Sequence, residues 1–143
     1  MIDNSLFYTC SLIEYIGREK KLRRGNVVEK LGPQAVRRIY DHADVLHSDP
    51  IEHVAEVYSD MAGLTEGDFD NVKACKYTVP TYWDIGKVFT RLIEDVSPDS
   101  HIDGVEKVYR SWMTDEISNY NSDLFYQSRE YLKECFLAGE ILF

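Results

Sequence analysis

Cysteine is scarce in this 143-residue chain: three occur, at 10, 75 and 135. An odd count with no short spacing excludes a disulfide framework and a C-x2-C zinc site. The plain reading is three free thiols packed as small hydrophobes, which implies a reducing compartment and a cytoplasmic protein. Cys75, between Lys73 and Lys76, is the cysteine whose neighbours would stabilise a thiolate. Proline (4) and glycine (8) are sparse, and no Ser/Gly linker, repeat or low-complexity stretch occurs, so residues 1–143 read as one domain. No apolar run approaches the ~20 residues of a membrane span. The start, MIDNSLFYTCSLIEYIG, lacks the basic region and small-residue cleavage site of a signal peptide. Walker A, G-x-G-x-x-G, G-x-S-x-G and H-E-x-x-H are all missing, so no cofactor or metal is expected.

What is present is enough apolar and aromatic material for a core. The chain is 44% hydrophobic, with ten Tyr, six Phe and two Trp, which excludes a disordered polymer. The net charge of −9 is unevenly spread. Residues 1–40 hold eight Lys/Arg against four Asp/Glu, a net +4, so residues 41–143 carry −13. Such an acidic bulk argues against non-specific coating of nucleic acid.

The helical period dominates the pattern. Asn4 or Ser5 is expected to cap a helix through about Ile16, with Leu6, Cys10 and Ile13 on one stripe and Gly17 ending it. Asn26 opens a short turn closed by Gly32, and Pro33 takes the first position of a helix carrying Val36, Ile39, Tyr40, Ala43 and Leu46. Ser48 or Asp49 before Pro50 starts the next helix, with Ile51, Val54, Ala55, Tyr58 and Met61 as its apolar face and Gly63 beyond its end. Leu64–Val79 reads as loop with at most a short strand at 75–79. Thr78 or Thr81 opens YWDIGKVFTRLIEDV, whose core stripe is Ile85, Val88, Phe89, Leu92, Ile93 and Val96. Its internal Gly86 costs about 1 kcal/mol relative to Ala, which suggests that another helix approaches there. Asp99 or Ser100 begins a helix through Val105, Val108 and Trp112, expected to continue past Ile117 to Tyr120. Ser128 begins the last, ended by Gly139, with the EILF tail folding back. The expected fold is all-α: a compact orthogonal assembly of six or seven helices with at most one short strand.

Three constellations bear on function. His42 and His47 lie five apart on a helix, about 140° out of alignment, and with His53 do not make a metal face. The run Arg18, Lys20, Lys21, Arg23, Arg24, followed by Arg37 and Arg38, offers a basic patch for phosphate backbone or an acidic protein; the plain alternative is a charged corner balancing the rest of the domain. Tyr82, Trp83 and Asp84 sit at a helix entrance after Pro80. At about 100° per residue Trp83 falls about 200° from Ile85 and about 140° from Val88, so it points away from its own core stripe. Tyr and Trp beside a charge are common components of an interaction surface.

The stretches SLFYTCSLIEYIGR, IYDHADVLHSD, VPTYWDIGKVFTRLI and REYLKECFLAGEIL resemble a family of small, uncharacterised bacterial proteins of mobile-element or toxin–antitoxin-like gene neighbourhoods. The resemblance implies a regulatory role and carries no catalytic residue. The expectation is a cytosolic, antitoxin-like interaction protein that binds another macromolecule, a protein partner or a second copy, through Tyr82, Trp83 and Asp84. The alternatives are a small hydrolase or transferase with a tertiary His/Asp/Glu cluster, and nucleic-acid binding through residues 18–38.

Overall fold

The computed structural model describes residues 2–143. Nine α-helices and no strand occur among them: α1 (Asn4–Lys20), α2 (Arg24–Asp41), α3 (Ala43–Leu46), α4 (Ile51–Ala62), α5 (Asn71–Ala74), α6 (Tyr82–Val96), α7 (His101–Tyr109), α8 (Met113–Ser118) and α9 (Arg129–Ala138). The all-α expectation holds, and the short strand at 75–79 does not form.

Helix α1 is the axis of the molecule. It packs on α2 and α6 and also touches α3, α4 and α7. Leu6, Cys10, Leu12, Ile13 and Ile16 are fully buried, but so are Thr9, Ser11 and Glu14. The middle of the helix is enclosed, so polar groups are buried there, and Ser11 Oγ has no partner among the described residues. Thr9 is satisfied locally by donating to the Ser5 carbonyl (2.8 Å). Where α1 crosses α6 the side chains are reduced to a hydroxymethyl and a hydrogen: a Cβ at Gly86 would stand 2.4 Å from Ser11 Oγ and 2.9 Å from its Cα. The close approach expected at Gly86 is real.

Several ends differ from expectation in instructive ways. Asp3, not Asn4 or Ser5, caps α1 by accepting from the Leu6 N–H (3.1 Å). Gly17 does not end the helix. It lies inside α1, where any Cβ would overlap the Arg24 side chain. The real end is Lys21, in the left-handed region at φ 53°. Gly32, at φ 82°, kinks α2 ahead of Pro33 as expected, although the first half begins at Arg24 rather than after Asn26. Thr81 caps α6 in a reciprocal box: its hydroxyl accepts from the Asp84 N–H (3.0 Å) and the Asp84 carboxylate accepts from the Thr81 N–H (3.0 Å).

The long helix expected from Ser100 to Tyr120 breaks at Arg110–Trp112. The hydroxyls of Ser111 (2.6 Å) and Thr114 (2.9 Å) both donate to the Val108 carbonyl there, competing with the backbone ladder. Trp112, expected in the core, therefore turns outward, and Met61 on α4 is likewise exposed. Most other apolar positions expected along the core, including Val36, Ile39, Val54, Tyr58, Ile85, Phe89, Val105 and Val108, are buried, while Tyr40, Leu46, Val88 and Val96 are half-buried at its edge. In the tail, Tyr131 donates to the Leu142 carbonyl and half-buries Ile141 and Leu142, while Phe143 projects into solvent.

Candidate functional site

The entrance to α6 is a braced corner. Pro80 is buried, and its carbonyl accepts from Arg18 Nη2 (2.6 Å), which also reaches the Tyr120 hydroxyl (3.1 Å). With Thr81 and Asp84 locked as the cap, the first turn of α6 holds Tyr82 and Trp83 rigidly on the surface. Asp84, expected to face a partner, is thereby committed to the cap. Tyr82 is half-buried and Trp83 is 39% exposed, as the period anticipated.

These two rings belong to a strip that no sequence pattern announces. Trp83 packs on Phe7 of α1 (centroids 5.6 Å apart) and on Tyr82 (5.0 Å), and Tyr82 meets Tyr15 of α1 edge-on (5.2 Å). Phe7 and Tyr15 are two helical turns apart, so the four rings run along one flank of the α1–α6 pair. Beside the strip lies an open cleft of about 420 Å³, lined by Phe7, Tyr8 and Trp83 together with Ala43, Asp44 and His47. The Tyr8 ring is nearly buried and its hydroxyl has no hydrogen-bond partner. Burial, with Asp49 and Tyr58 nearby, raises that phenol to about 12, so it stays neutral.

Residues 39–72, from the end of α2 through α3 and α4 to the start of α5, contain nine Asp/Glu and no Lys or Arg. Of these acids Asp44 lines the cleft and Asp49 lies near the Tyr8 hydroxyl, while Glu66 pairs with Lys21 elsewhere. Lys87 Nζ stands 6.0 Å from the centre of the Phe7 ring.

The basic run does not form one face. Arg24 is fully buried, its Nε donating to Glu14 Oε1 (3.2 Å), Nη1 to the Leu22 carbonyl (2.8 Å) and Nη2 to Asn71 Oδ1 (3.1 Å). Tyr109 donates to the other Glu14 oxygen (3.0 Å). Burial pushes the Glu14 carboxyl up from its ordinary value, against the pull of Arg24. Lys21 pairs with Glu66 (3.0 Å), Arg23 with Asp115 (3.3 Å), and Arg18 serves the Pro80 corner. Lys20, Arg37 and Arg38 form no ion pair among the described residues. Arg37 instead lines a separate cleft of about 260 Å³ whose rim mixes Glu29, Asp103 and Glu106 with Arg110.

The histidines do not assemble. His53 bonds Asp49 (2.7 Å), His47 lines the Trp83 cleft, and no group of three His, Cys, Asp or Glu suited to a metal occurs among the described residues. The histidine with an inward carboxylate partner is one the spacing did not single out: His101 Nδ1 lies 2.8 Å from Asp3 Oδ2, which also accepts from the Tyr40 hydroxyl (2.6 Å). That Asp3 simultaneously caps α1, and the cluster ties α1, α2 and α7 together. Cys10 and Cys135 are buried, with burial raising the Cys10 thiol to about 12, and Cys75 is half-buried with its thiol against the Tyr77 carbonyl.

No family model matches this chain, and neither a curated protein nor a solved structure shows significant similarity to it.

Proposed function

We propose that the chain is an interaction protein that binds a partner protein through the aromatic strip and cleft at the entrance of α6. The observation that carries this reading is Trp83: a rigidly presented indole, partly in water, at the edge of a concave surface walled by Phe7 and Tyr8. Leaving such a ring in contact with water forgoes part of the roughly 1.5–3 kcal/mol its burial would contribute. Trp is also the residue type most enriched where interface energy concentrates. The three unpaired thiols agree with a reducing cytoplasm. The antitoxin-like form of the proposal, suggested by the sequence resemblance, is that the partner is an enzyme whose activity falls when the complex forms. Nucleic-acid binding through residues 18–38 is disfavoured, because four of its eight cations are engaged in contacts within the chain.

The test is to isolate what co-purifies from the host cell, purify it, and measure its affinity for wild type and Trp83→Ala by calorimetry. A hot-spot indole is worth 2 kcal/mol or more, so affinity falls about 30-fold or further. Unchanged affinity, with or without a lowered melting temperature, assigns Trp83 to the fold and ends the proposal. The enzyme-inhibition form is tested by the partner's turnover with and without one equivalent of the chain.

A further inference from the structure

We infer that the Trp83 cleft recognises a cation: a Lys or Arg side chain of the partner protein, its charged head among Phe7, Tyr8 and Trp83, with Asp44 as its counter-charge. The inference rests on the docking reading and names its chemistry. Three aromatic rings wall the cleft, and an aromatic face attracts a cation within about 6 Å of its centre. A carboxylate, Asp44, is in the same lining to complete the pair. The sign nearby matches: Asp44 lines the cleft, Asp49 lies close to the Tyr8 hydroxyl, and no Lys or Arg is in the lining among the described residues, which favours a basic segment. The cleft's volume of about 420 Å³ exceeds what one guanidinium or ammonium head needs, leaving room for the aliphatic stem against Ala43. Such a side chain has just this division, an apolar stem and a charged head. An acidic partner segment meets the wrong sign, and a purely aliphatic one leaves Asp44 without a counter-charge.

The experiment uses two isosteric probes, butylguanidinium and butylurea, which differ in charge and not in shape. Binding is followed by indole fluorescence in the full chain carrying Trp112→Phe, so that Trp83 is the sole reporter. The expected result is saturable binding of butylguanidinium, at least tenfold stronger than butylurea, and weakened at least threefold by Asp44→Asn. Asp44 is exposed, so this variant folds, which the circular dichroism spectrum verifies. Equal binding of the two probes, no saturable binding of either, or indifference to Asp44→Asn overturns the inference. The docking proposal is judged separately with the purified partner. If Trp83→Ala weakens that complex while Asp44→Asn and neutralisation of the partner's Lys and Arg do not, docking stands and cation recognition fails. If Trp83→Ala has no effect, both fail.

Discussion

Arg24→Met tests the most consequential contact in the interior. Arg24 and Glu14 are both fully enclosed, so removing the guanidinium leaves a buried carboxylate without its paired charge, held by the Tyr109 hydroxyl. Deleting one partner of a buried pair costs about 3–5 kcal/mol. For a chain of this length that lowers the melting temperature by about 9–15 °C, taking about 3 °C per kcal/mol. The Leu22 carbonyl and Asn71 Oδ1 lose their donors as well, which places the loss toward the upper part of that range. Glu14→Gln leaves the complementary orphan, a buried cation. Glu14→Leu/Arg24→Met removes both charges and therefore costs less than the sum of the singles, by at least about 1.5 kcal/mol. The pH dependence has a definite sign. Glu14 already titrates above its ordinary 4.5, and without Arg24 it moves further up. A carboxyl raised in the folded state favours folding most below its unfolded value, and that advantage is lost as pH rises through the folded value. The deficit of Arg24→Met is thus largest near neutrality and shrinks on acidification toward pH 4.5. Urea unfolding followed by circular dichroism at several pH values measures all of this. A loss under about 1 kcal/mol for Arg24→Met at pH 7, or strict additivity in the double variant, refutes the reasoning.

Gly86→Ala improves helix propensity by about 1 kcal/mol yet is expected to destabilise by about 1–3 kcal/mol net, because the new methyl meets the Ser11 backbone; thermal melting reads the sign directly. Thr81→Ala removes the acceptor for the Asp84 N–H and lowers stability by about 1 kcal/mol in the same assay. Burial works to raise the Asp3 carboxyl, but hydrogen bonds from Tyr40, His101 and the Leu6 N–H outweigh it and hold the group below 3.8. Its contribution is present above that value and lost as pH falls through the lowered one, so Asp3→Asn flattens the acid limb of the stability profile below about pH 4.

Some local signals were legible in the sequence. Thr81 before Pro-flanked YWD, Gly63 and Gly139 past helix ends, and the Gly32–Pro33 break each act through the backbone of their own neighbours, so three or four residues suffice to read them. The apolar period likewise identified most of the core and the outward turn of Trp83. Tertiary contact decided what periodicity has no access to. Gly17 resembles a helix stop, but its missing Cβ makes room for Arg24, seven residues on and in another helix. Arg24 resembles one more surface cation in a basic run, and only the convergence of α1, α2, α5 and α7 gives it Glu14, Asn71 and, through Glu14, Tyr109 as an enclosed network. Met61 and Trp112 occupy apolar positions whose faces found no neighbour. The cleft is the same kind of outcome. Phe7, Ala43, Asp44, His47 and Trp83 come from three helices, and what a side chain faces across a gap depends on how those helices cross, not on its spacing along any one of them.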